Sequence, residues 1–74
     1  MSLLLRSQFT IETEQEEDGR WLAEVLELPG TLVYADSQLH AIQKVKVLAL
    51  RVLADKLEQG EVSVDTDSFR FIAA

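Results

Sequence analysis

Hydrophobic and polar positions alternate along the first third of the chain. Between Leu3 and Thr13 the residues Phe9, Ile11 and Thr13 fall on one side, and Thr10, Glu12 and Glu14 on the other. A period of two is the signature of a half-buried strand, so Leu3–Thr13 is read as a first strand. The polar segment from Glu14 to Gly19 interrupts it, and the Asp18-Gly19 pair suits a turn that needs positive φ. Alternation resumes over Arg20–Glu27, with Trp21, Ala23 and Val25 on one face and Leu22, Glu24 and Leu26 on the other. Two such runs joined by a Gly-containing loop predict a β-hairpin. In Leu28-Pro29-Gly30 the proline presets φ and the glycine accepts the positive φ that follows, which predicts a type II turn. Thr31–Ala35, β-branched and aromatic, is the third strand of an antiparallel meander.

At Asp36-Ser37 the period changes. Either side chain can cap a helix, and from Gln38 the apolar positions recur at helical spacing: Leu39, Ile42, Val45, Ala49, Val52 and Leu53. Gly60 is placed to end that helix in the left-handed conformation. The predicted length is about 30 Å. Val47, Leu48, Leu50 and Ala54 widen the apolar surface beyond one stripe. A helix apolar over most of its girth is buried on more than one side, and one small sheet cannot cover it all. These four residues are therefore the candidate self-association surface. Glu61–Asp65 and Ser68–Ala73 are extended candidates, with a bend at Thr66-Asp67. The order βββαβ predicts an α+β two-layer fold: an antiparallel meander, one long helix on one face and a C-terminal strand.

Length and charge narrow the function classes. At 74 residues the chain forms a single domain, residues 1–74. It buries only about 60–65% of its unfolded surface, and with no cysteine it has no disulfide to compensate. Association is the remaining route to more buried surface, and a homodimer or higher oligomer is expected. Thirteen acidic residues against seven basic ones give a net charge of -6. The cations Arg6, Arg20, Lys44, Lys46, Arg51, Lys56 and Arg70 are scattered. That distribution argues against direct nucleic-acid binding, which needs clustered Lys and Arg, and favours a basic partner. Met1–Leu5 is too short for the apolar core of a signal peptide, and no run is long enough to span a bilayer. No membrane association is expected, and a cytoplasmic location follows.

No residue constellation points to catalysis. The acidic run Glu12, Glu14, Glu16, Glu17 and Asp18 lacks the spacing of a calcium loop. On pattern alone it reads as a solvated hairpin tip whose charges deter edge pairing; its functional reading is a docking surface for a cationic partner. His40, the single histidine, has no nucleophile beside it and falls in the first helical turn, where the dipole disfavours imidazolium. Ser37 sits in Tyr34-Ala35-Asp36-Ser37-Gln38, which is no nucleophile elbow, and reads as an N-cap. Trp21 and Tyr34 read as core or interface anchors. No phosphate loop, metal-ligand cluster or cofactor motif occurs, so neither enzyme activity nor a cofactor is expected.

The stretch from Glu17 to Gly30, with Asp18-Gly19, Trp21, Ala23 and Leu28-Pro29-Gly30 in this order, resembles the HicB-like antitoxin family. The resemblance continues through Tyr34-Ala35-Asp36-Ser37 into the helix and covers Phe9 to Leu57. It implies a truncated ribonuclease-H-like fold without catalytic carboxylates. It also implies a role in a toxin–antitoxin system: oligomers that mask a small basic RNA-cleaving toxin of the HicA type. Ala35 stands where the family often has Gly, and His40 where it often has Glu. Many members add a DNA-binding segment after the last strand; here Ala74 follows it directly, and a stand-alone domain is expected. The expected contact surface is Glu12, Glu14, Glu16, Glu17, Asp18 and Glu24, pairing with Lys and Arg of the toxin. The alternative is an orphan homo-oligomeric structural module with no toxin partner, held through Val47, Leu48, Leu50, Ala54 and the strand edges.

Overall fold

The computed structural model describes residues 3–5, 8–60, 62–64 and 70–74. Among them the elements run β1 (Leu3–Leu5), β2 (Gln8–Gln15), β3 (Trp21–Val25), β4 (Leu32–Ala35), α1 (Gln38–Glu58), β5 (Val62–Val64) and β6 (Arg70–Ala73). The architecture is α+β. One sheet has four strands in the order β4-β3-β2-β6, and α1 packs on one face of it, chiefly over β3 and β4. The meander β2-β3-β4 is antiparallel, as alternation and turn chemistry predicted. β6 returns beside β2 in parallel, with Phe9 against Phe71 in register. A right-sized crossover exists for that parallel return because α1 lies between the meander and β6 in sequence.

Two of the expected strands need correcting. Leu3–Thr13 is not one strand: β1 pairs in parallel with β5 in a separate two-stranded sheet, and β2 continues to Gln15. Alternation identifies extended chain, but it does not say which strand an extended segment will pair with. Similarly, Arg20–Glu27 is strand only over Trp21–Val25, because the chain turns at once. Leu28 N–H donates to Val25 O at 3.1 Å and Thr31 N–H to Leu28 O at 3.0 Å. The second of these, with Gly30 at φ 87°, is the predicted type II turn. The Thr66-Asp67 bend and Phe69 lie outside the described residues.

The hairpin loop is Glu17-Asp18-Gly19. Glu16 N–H donates to Arg20 O at 2.7 Å and Gly19 N–H to Glu16 O at 3.0 Å. A three-residue loop of this kind ends on a left-handed residue, and Gly19 supplies it at φ 91°. The helix starts at Ser37, whose hydroxyl accepts from His40 N–H at 3.1 Å. It stops at Gln59, followed by Gly60 at φ 72°.

The core lies between sheet and helix. Phe9 and Ile11 from β2, Ala23 and Val25 from β3, and Ala35 from β4 meet Ala41, Val45, Ala49 and Leu53 of α1. Trp21, Val33, Ile42 and Phe71 pack around this centre. The buried helix positions are spaced by four, which aims one narrow face at the sheet. Leu39 was expected on that face, but it is 67% exposed. It lies about 200° around the helix from Ala41, at 100° per residue. Helical periodicity marks the helix well, but the stripe's edges depend on where the sheet lies.

Candidate interaction surface

The sheet face away from α1 has no described element over it. Strand alternation places every second residue there. Register arranges them in rows: Glu12, Glu24 and Leu32 in one, and Glu14, Leu22 and Tyr34 in the next. A third row holds Ile72 beside Thr10, and Leu26 N–H reaches Thr10 O at 3.0 Å. Leu32 at 40%, Tyr34 at 41%, Leu26 at 45% and Ile72 at 38% keep large apolar surface in water.

The acids are not equivalent. Glu12 faces Glu24 in register, with Glu14 two residues further along β2. Among the described residues no cation comes within ion-pair distance of these three. Like charges directly opposite each other destabilise a sheet. Glu16, Glu17 and Asp18 sit apart at the hairpin tip. Asp18 is already engaged there: its carboxylate accepts from Arg20 N–H at 3.0 Å and from Arg20 Nε at 2.7 Å. The backbone bond first, then the guanidinium, holds the Asp18 carboxyl below its ordinary pKa. Glu27, a neighbour in sequence, has a structural role. Its carboxylate accepts from Thr10 N–H at 2.6 Å and Thr10 Oγ1 at 2.8 Å, clamping β2 beyond the end of β3. The six acids proposed from sequence therefore divide into a sheet-face group of Glu12, Glu14 and Glu24 and a hairpin-tip group.

Sequence reasoning assigned no partner-facing role to Leu22, Leu32 and Ile72. The signal was present, since Leu22 shares its parity with Glu24 on one strand. What was missing was the pairing that sets Leu32 and Tyr34 beside them. Tyr34 is exposed, and the Arg20 guanidinium lies over its ring at 4.5 Å, a cation–π contact. Lys44 Nζ donates to Tyr34 O at 3.1 Å and covers a carbonyl of the edge strand β4.

Beside β4 an open groove of about 250 Å³ is lined by Arg20, Tyr34, Ala35, Asp36, His40 and Lys44. Ser37 serves as the N-cap, and exposed His40 lines this groove together with Tyr34, Asp36 and Lys44. Among the described residues no group of three or more His, Asp or Glu is placed to hold a metal ion. No described helix is long and apolar enough to cross a membrane.

The residues proposed for self-association lie on α1. Val47 is 50% and Leu50 48% exposed, and Ala54 is also exposed. Leu48 differs: it is half-buried beside Val33 in a second groove, shared with Lys44, Val47 and Arg51. No protein-family model, curated protein or solved structure matches this chain.

Proposed function

We propose that this chain is a non-catalytic protein-binding module of the HicB antitoxin type, masking a small basic RNA-cleaving toxin of the HicA type. The observation that supports this reading most is the register of Glu12 against Glu24, with Glu14 alongside and apolar Leu22, Leu32 and Tyr34 in the same rows. Repulsion stored on an open sheet face is relieved by a cationic partner. The adjacent apolar side chains supply the desolvated contact that charge alone does not. The net charge of -6 favours approach of the same kind of partner. Glu16 and Glu17 at the hairpin tip extend the negative field at one end of the sheet.

The test is a pull-down of the tagged chain from its native cell extract at low and at high salt, followed by an RNA-cleavage assay of whatever small basic protein is retained. The expected companion cleaves RNA alone and is silenced by stoichiometric addition of this chain. The triple variant Glu12→Lys, Glu14→Lys, Glu24→Lys should lose that inhibition. A homo-oligomer with no companion at either salt supports the second reading, a structural module without a toxin, for which the exposed apolar face of α1 speaks.

A further inference from the structure

On the face of α1 turned away from the sheet, Val47, Leu50, Ala54 and Leu57 follow one another at spacings of three, four and three. All four are exposed, Leu57 at 40%. That spacing is the a and d pattern of a two-helix seam. It runs on the opposite side of the helix from Ala41, Val45, Ala49 and Leu53, which serve the core. Lys44, Arg51 and Glu58 flank the seam at intervals of seven, and Lys46 stands on its other side.

From this geometry we infer that α1 pairs with α1 of a second copy, antiparallel, to form a dimer joined back to back. Antiparallel a–d layers set Val47 against Leu57 of the partner and Leu50 against Ala54 of the partner, large against small in the central layers. The same register brings Lys44, once its ammonium leaves Tyr34 O of its own chain, to Glu58 of the partner, twice by symmetry, with one Arg51–Arg51 contact near the axis. A parallel pair instead sets Lys46 against Arg51 of the partner twice and makes neither favourable contact. Antiparallel helix dipoles add to the preference. Because the seam and the open sheet face lie on opposite sides of the two-layer fold, the dimer carries two acidic faces pointing outward. The inference does not depend on what those faces bind.

Sedimentation of the full chain at rising concentration is expected to show twice the chain mass, and Leu50→Asp is expected to leave a folded monomer. A wild-type chain that stays monomeric at millimolar concentration, or a Leu50→Asp chain that dimerises as before, overturns the inference. Orientation is read separately. Lys44→Glu and Glu58→Lys should each weaken association roughly tenfold, and the double swap should restore it; failure of the swap to restore overturns the antiparallel register. The chain has no cysteine, so single-cysteine chains report contacts directly. When Val47→Cys and Leu57→Cys chains are mixed and oxidised, the mixed disulfide should dominate. Predominant Val47→Cys self-pairing overturns the orientation, because in the antiparallel register those two positions are about 15 Å apart along the axis.

Discussion

Glu12 and Glu24 stand directly opposite each other on β2 and β3, two carboxylates in register on an open sheet face with no described cation paired to either. A like-charge cross-strand pair costs roughly 0.2–1 kcal/mol. Glu24→Gln should therefore stabilise the isolated protein by about 0.5 kcal/mol at low salt, raising Tm by about 2–4 °C. Near 1 M salt the gain should shrink toward zero, because the Debye length falls to about 3 Å. Thermal melts at both salt concentrations measure it; a gain that ignores salt would mean that packing, not repulsion, was relieved. The same substitution should weaken binding of a cationic partner.

At the hairpin tip, Asp18 has a folded-state pKa below its ordinary 3.8, caused first by the Arg20 backbone N–H and then by its guanidinium. A depressed carboxyl contributes stability that is present above the unfolded pKa and is lost as pH falls through the folded one. The tip should therefore loosen only below about pH 4. Carboxyl chemical shifts followed by NMR should give Asp18 a midpoint below those of unpaired aspartates, and Asp18→Asn should remove that acid-dependent contribution. Both partners are half exposed, so the effect should also fade with salt.

Ser37 caps α1 from an extended backbone, φ -138° and ψ 158°, and the first helical turn contains no acidic residue. Ser37→Ala should cost about 1 kcal/mol. Ser37→Asp should keep the bond to His40 N–H and gain roughly 0.3–1 kcal/mol from the helix dipole. Urea denaturation of the three proteins ranks them Asp, Ser, Ala. Equal midpoints would show that the cap contributes nothing.

Gly30 sits at φ 87° with nothing within 4 Å of where a Cβ would stand. Any loss in Gly30→Ala is therefore backbone strain and not a clash, at about 1–2 kcal/mol. The turn sets the spacing of β3 and β4, so the loss should appear as weaker protection of the β3–β4 amide bonds in hydrogen exchange, with β2–β6 protection less affected.

Phe9 is fully buried and its ring meets Phe71 at 6.1 Å between centroids. Phe9→Ala should cost about 3–5 kcal/mol. A chain of 74 residues has a total stability of about 4–11 kcal/mol. Circular dichroism at 37 °C should show a substantially unfolded population, and the far-UV signal should recover in a stabilising osmolyte.

What the sequence determined by itself was local. The alternation of Phe9, Ile11, Ala23 and Val25, the turn glycines Gly19 and Gly30, the serine cap and the terminating Gly60 each carry their instruction within a few residues, because period, φ and capping are short-range properties. The meander and the long helix follow from them. Only the tertiary structure decided three things. β1 pairs with β5 and not with the main sheet, since equal extended segments differ only in which partner reaches them. Leu39 stays in water although Ala41 and Val45 of the same helix are buried, since the position of the sheet sets the width of the buried arc. Glu12 meets Glu24, while Glu27 is turned to Thr10 and Asp18 to Arg20: register assigns each carboxylate its neighbour, and register comes from how whole strands align, not from any residue's own preference.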